Sequence, residues 1–160
     1  MAVERDQLRT TLASWASGVT IVTSCDGDSV MGMTVSAFAA VSLDPPLVSV
    51  CADHASVTQG LIRGSGVFTV SVLAAGQEAL SNRFASKRDE HRRFEGLDCA
   101  LGATGCRRIP DAVAWLDCRV VQSIDAGDHT LYIGRVEAAE VTDRLPLLYC
   151  RSAYGAWQPE

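Results

Sequence analysis

The sequence predicts a mainly β protein, a closed or nearly closed antiparallel barrel with a few flanking helices. Three observations carry that expectation. Six or seven runs are rich in β-branched residues or alternate apolar with polar side chains, among them Val19–Cys25, Phe68–Leu73 and His129–Val136. Turn signals separate them: Asp26-Gly27-Asp28, Asp44-Pro45-Pro46 and Asp125-Ala126-Gly127-Asp128. Few stretches have helical periodicity, and a barrel removes the exposed edges so many strands would leave.

In chain order, Asp6–Ser17 reads as a helix with Leu8, Leu12 and Trp15 on one face and Gly18 as its stop. Val19–Cys25 is the first strand, and Asp26-Gly27 returns the chain antiparallel beside it. The strand that returns is Gly32–Pro46, the stretch against which the chain is organised. Met33, Val35 and Ala37 alternate with Thr34 and Ser36 before the run turns small and apolar, and Pro45-Pro46 stops it. Its small side chains would let backbone amides reach the polar edge of a flat ligand. An ordinary half-buried strand fits the same pattern.

Leu47–Cys51 reads as a buried strand. Ser56 with Gln59 has the spacing of a capping box, which would start a short helix running to about Arg63. The same Ser56 oxygen could instead serve an anion at that helix N-terminus. Gln77–Ala85 reads as a further helix with Leu80 and Phe84 on one side. Lys87–Arg93 reads as an exposed charged loop, with a patch for a phosphate-bearing substrate or partner as the second reading, and Leu97–Ile109 as an irregular connection. Ala112–Val121, His129–Val136 and Leu147–Arg151 complete the strands.

Composition narrows the function. The 160 residues suit a single domain, 1–160, with its own core. A net charge of −5 argues against a nucleic-acid partner. No apolar run approaches the ~20 residues of a membrane span, and the N-terminus lacks the pattern of an export signal, so a cytoplasmic location is expected. Of the six cysteines, no pair has C-x₂-C spacing, so reduced structural thiols are expected and a metal site is not. Gly64-Ser65-Gly66 is no dinucleotide fingerprint, because Thr69 stands where a third glycine belongs and a strand follows. No hydrolase triad signature or metal-spaced histidine pair is present.

The run GMTVSAFAAVSLDPPLVSVCAD at 32–53 resembles the short-chain NAD(P)H-dependent flavin reductases, whose fold is an FMN-binding split β-barrel. The resemblance continues through Ser65–Phe68, Leu80–Ala85, Ala114–Cys118, Gly127–Val136 and Pro146–Tyr149, covering nearly the whole chain in order. It implies an NAD(P)H:flavin oxidoreductase that reduces FMN or FAD with NADH or NADPH and supplies a separate flavin-dependent monooxygenase. It also implies a homodimer with the site near the subunit interface. Two rivals share the fold: an oxygenase or oxidase that retains its flavin, and a flavin binder without turnover. Hydride transfer belongs to the cofactors, which fits the lack of protein-borne catalytic motifs.

Residue by residue, the resemblance assigns Thr34, Val35, Ser36 and Ala37 to the isoalloxazine and ribityl chain, with Cys51, Ala52 and Asp53 beside them. Ser56, Thr58, Ser81 and Arg83 would hold the phosphate. His129 would face the nicotinamide, and Tyr154 would cover the open flavin face. Ser152 departs from the family, which often has glycine there.

Overall fold

A computed structural model describes residues 3–158. Strand β2 (Thr20–Asp26) pairs with β3 (Ser29–Val35) from Thr20 opposite Val35 to Asp26 opposite Ser29, with Gly27 in the left-handed region at the turn. The next strands are β4 (Phe38–Leu43), β5 (Pro46–Asp53), β6 (Val67–Val72), β7 (Ala114–Ala126) and β8 (His129–Val141). All seven form one antiparallel sheet in the order β3-β2-β6-β7-β8-β5-β4. Its two edge strands, β3 and β4, are consecutive in the chain. Only Ser36 and Ala37 separate them, so the sheet must roll up for this link to reach from one edge to the other. The Cys51 amide donates to the Ala37 carbonyl at 3.1 Å, placing Ala37 beside β5 before β4 begins.

The rolled sheet encloses an apolar interior of Val22, Met33, Val35, Val48, Val50, Ala52, Phe68, Val70, Cys118 and Tyr132. Helix α2 (Val57–Ser65) contributes Ile62 to it. Gly134 on β8 has no room for a side chain, because a Cβ there would lie 2.4 Å from Phe68. A second cluster, on the opposite face of β2, joins Val19, Ile21, Leu73, Ile109 and Leu147 to Phe84 of α3 (Glu78–Ala85). Strands β2 and β6 are therefore buried on both faces, which explains their nearly continuous apolar and hydroxyl-bearing sequences. A small sheet lies beside this cluster, formed by β1 (Ser17–Gly18), β9 (Leu147–Cys150) and β10 (Ala153–Ala156).

Several local expectations change. Helix α1 covers Arg5–Leu12, short of Ser17, and Ser17–Gly18 pairs with β9 rather than ending a helix. Leu8, Leu12 and Trp15 are exposed, Trp15 by 80%. The Leu47–Cys51 strand alternates between buried and partly buried positions. Arg93, in the charged run, is 4% exposed and donates to the Gly32 carbonyl at 2.6 Å, to Ser86 O and to Glu90. The 97–109 connection packs Cys106 and Ile109 into the interior and bridges Leu101 to Arg107.

That connection is tied down by the buried Asp117 of β7, whose carboxylate accepts hydrogen bonds from Arg108, Thr69 and the Ala103 amide. Gly102 makes the approach possible, since a Cβ there would sit 2.0 Å from Asp117. Burial alone would raise the Asp117 pKa, but the Arg108 and Thr69 hydrogen bonds and the Ala103 amide outweigh it and hold the carboxyl below its ordinary value. A carboxyl lowered on folding stabilises the protein above its unfolded pKa, and that stability is lost as pH falls through the folded value. Asp117→Asn should cost about 3 kcal/mol in urea unfolding at neutral pH, since it leaves the largely buried Arg108 guanidinium with only the exposed Glu140 carboxylate as its anion. The gap between variant and wild type should narrow below about pH 4.

Candidate active site

Alternation along β3 and β5 sorts the predicted residues. Val35 and Ala52 point into the barrel interior and present only backbone to the outside. Thr34, Ser36, Cys51 and Asp53 occupy the other face. Two adjoining clefts form there, sharing Ser36 and Tyr149. The larger, 560 Å³, lies over Ala37, Phe38, Ser49 and Cys51, and Leu12 and Trp15 line its other side. The smaller, 230 Å³, lies between Thr34 and Ser36 on one side and Ser81, Asn82 and Ala85 of α3 on the other. The residues there are small or hydroxyl-bearing, so a flat molecule could reach backbone groups along the β3–β4 link.

Tyr154 borders the smaller cleft. Its hydroxyl lies 2.9 Å from Ser81 Oγ and donates to Asn82 Oδ1 at 2.8 Å, which docks β10 on α3. Thr34 Oγ1 donates to the Ser81 carbonyl at 2.6 Å, so α3 is clamped from both sides.

At the end of β5 the chain turns sharply into α2. Asp53 Oδ1 accepts from the Ala55 amide at 2.8 Å, and the His54 amide donates to the Asp128 carbonyl. Ser56 stands at the N-cap, yet its hydroxyl makes no cap bond and instead lies 3.2 Å from Met33 Sδ. Gln59 does not complete a capping box either. Its amide donates to Thr130 Oγ1 and to the Tyr132 hydroxyl, both at 3.1 Å, inside the barrel mouth. Tertiary partners have overridden the local motif. The Thr58 hydroxyl, on a residue 1% exposed, is buried without any hydrogen-bond partner. A buried orphan hydroxyl beside an uncapped helix start makes this turn a candidate anion site.

Arg83 does not join this group. It lies on another face of α3, donating to the carbonyls of Arg92 and Glu95 at 2.7 and 2.6 Å, and lines a separate 330 Å³ hollow with Ser86, Arg88 and Arg92. The cation beside the Asp53 turn is Lys87, whose Nζ is 3.9 Å from Asp53 Oδ2. Lys87 opens the charged run for which a patch toward a phosphate-bearing substrate is the second reading, but the sequence does not single it out from the other cations of that run.

His129 pairs with Asp53 across β5 and β8, so it stands at the same end of the barrel. Its Nδ1 is 2.7 Å from Asp128 Oδ1, and that hydrogen bond holds the Asp128 carboxyl below its usual range. With Nδ1 so engaged, Nε2 remains for another partner. Behind it, Asp125 accepts from Thr130 and Arg63, with His54 within 3.6 Å. Thr130, first among these, lowers the Asp125 carboxyl. This knot pins the β7–β8 turn to α2. Among the described residues, no cluster of His, Cys, Asp and Glu could hold a metal ion, and no helix is long and apolar enough to cross a membrane.

Residues 12–158 match the family described as flavin reductase like domain. The chain belongs to this flavin reductase family. It is 39% identical over 148 residues to a Rhizobium meliloti (strain 1021) protein named as a probable flavin reductase, covering 92% of this chain but 47% of that longer relative. It is 34% identical over 160 residues to HsaB, the reductase subunit of a flavin-dependent monooxygenase from Rhodococcus jostii, covering 99% of this chain and 81% of HsaB. Among solved structures, the NADH:FAD oxidoreductase SgcE6 of Streptomyces globisporus C-1027 superposes with a TM-score of 0.92 at 34% identity, covering 99% of this chain and 98% of that one. The rolled sheet is thus the antiparallel split barrel of flavin reductases.

Position 152, where the resemblance implies glycine, lies in a turn that suits glycine. Arg151 and Ser152 form the β9–β10 turn with φ of 49° and 63°, a left-handed pair that glycine adopts without steric cost. Ser152→Gly should raise thermal stability by about 1 kcal/mol, read as an increase in Tm. It should also leave the Tyr154 hydrogen bonds in place.

Proposed function

We propose that the chain is a flavin reductase that takes hydride from NADH, delivers it to FMN or FAD and releases the reduced flavin to a separate monooxygenase. The carrying observation is the partnerless, buried Thr58 hydroxyl beside the uncapped start of α2, in a chain of the flavin reductase family. The names of the SgcE6 and HsaB relatives support NADH as donor and a monooxygenase as recipient.

The flavin supplies the redox chemistry, so the chain's residues need only bind, orient and exclude water. Thr58, Ser56 and the free amides of α2 hold the phosphate, and Lys87 adds charge. Arg83 acts by fixing the 86–95 segment that carries Lys87. Thr34, Ser36, Ala37 and Cys51 bed the ring along the β3–β4 link, with backbone from Val35, Ala52 and Asp53. Ser81 and Tyr154 close the α3 side. His129, oriented by Asp128, positions the nicotinamide.

The pairing is a homodimer. Leu12 and Trp15, exposed beside the larger cleft, are the apolar face that a second copy covers. Sedimentation velocity should give a dimer for the wild type, and a monomer at micromolar concentration would contradict this part of the reading.

Thr58→Val removes an unsatisfied hydroxyl, so without ligand it should unfold at or slightly above the wild-type Tm. It should nevertheless weaken FMN by about tenfold, the loss of one hydrogen bond to a charged group. Lys87→Ala should do the same without any effect on stability. Riboflavin, which lacks phosphate, should bind both variants as it binds the wild type; equal losses for both ligands would remove these residues from the phosphate site.

His129→Ala should raise KM for NADH several-fold and leave the FMN dissociation constant unchanged. Steady-state kinetics beside flavin titration separates the two effects, and unaltered kinetics would exclude His129 from the site.

A further inference from the structure

Cys25 and Cys106 are 81 residues apart in sequence, yet their sulfurs lie 3.1 Å from one another. Cys25 ends the buried part of β2 and is partly exposed, whereas Cys106 is fully buried in the 97–109 connection. An S–S bond is about 2.05 Å long, so the two sulfurs need close by only about an ångström. Both backbones are held in place: Thr23 Oγ1 donates to the Arg107 carbonyl at 2.6 Å, and the Gly102 amide donates to the Cys106 carbonyl at 2.8 Å. Among the described residues, none of the other four thiols lies within hydrogen-bond distance of a second sulfur.

We propose that Cys25 and Cys106 are a site of reversible oxidation, closing to an intramolecular disulfide in the presence of a peroxide. The Cys25 sulfur attacks one oxygen of hydrogen peroxide, the O–O bond breaks, and a sulfenic acid and one water result. The Cys106 sulfur then attacks the Cys25 sulfur, the S–O bond breaks, and the second water leaves with the proton that Cys106 gives up. Two thiols are thus oxidised by two electrons while one peroxide is reduced to two waters, and a dithiol reverses the step. Burial pushes the Cys106 thiol up to about 12, so Cys25 is the sulfur that meets the oxidant and Cys106 the one that resolves it. The bond would staple the 97–109 connection to β2 across a long loop, which restricts the unfolded chain and so favours the folded one.

The test is titration of the folded, reduced protein with hydrogen peroxide, followed by alkylation, digestion and mass spectrometry. The expected result is loss of two of the six free thiols, a linked peptide pair containing Cys25 and Cys106, and a Tm several degrees above that of the reduced protein, all reversed by dithiothreitol. Cys25→Ser should abolish both the linked peptide and the Tm rise. Cys25 is the partly exposed member, so this variant keeps the core intact, and an unchanged Tm before oxidation verifies that. Oxidation of Cys25 to sulfinic acid without cross-linking would overturn the proposal, as would a disulfide between any other pair.

Discussion

The hydrogen bond from the Cys51 amide to the Ala37 carbonyl marks the constraint on which the structure depends. Two residues, Ser36 and Ala37, must carry the chain from one edge of a seven-stranded sheet to the other. The sheet can meet that demand only by curling until β3 comes close to β4 and β5. Curling creates the enclosed interior, and the link left on the outside becomes the floor of both clefts. The small side chains of this stretch therefore answer two requirements at once: they let the strands meet, and they leave backbone groups open to a ligand.

The surrounding elements follow from that geometry. Helix α2 fills the barrel interior with Ile62 and spends Gln59 and Arg63 on the β7–β8 end, which leaves its own first amides and Thr58 without partners. Helix α3 is pressed against β3 by Phe84 and tied by Thr34 and Tyr154. A site built this way is bounded by its own chain on three sides, and on the fourth stand Leu12 and Trp15, the exposed face proposed for a second copy.

Much of this was legible in the sequence. Alternation and turn residues gave most of the strands, the Asp26-Gly27 hairpin and the helices at α2 and α3, and the ordered motifs pointed to the family. The 32–46 stretch, which reads as one strand, is instead β3 and β4, parted at Ser36 and Ala37. What escaped depended on contacts between distant segments. Ser56 and Gln59 have the spacing of a capping box, but Gln59 finds Thr130 and Tyr132, more than seventy residues away, and no local pattern records that competition. Arg93 reads as one more surface charge, yet it is buried because the Gly32 and Ser86 carbonyls need a donor. The resemblance placed Arg83 at the phosphate, while the fold turns it to the loop carbonyls and brings Lys87 to the Asp53 turn. The Leu8, Leu12 and Trp15 stripe was visible as a stripe, but a stripe does not say whether its own chain or another covers it.

The measurement that tests the central claim most directly is anaerobic stopped-flow absorbance, with the enzyme mixed with excess FMN and NADH. A flavin reductase that exchanges its flavin should bleach the whole FMN pool over many turnovers. Bleaching limited to one flavin per chain would point to a retained flavin and a different reaction. No bleaching at all would contradict the reductase assignment.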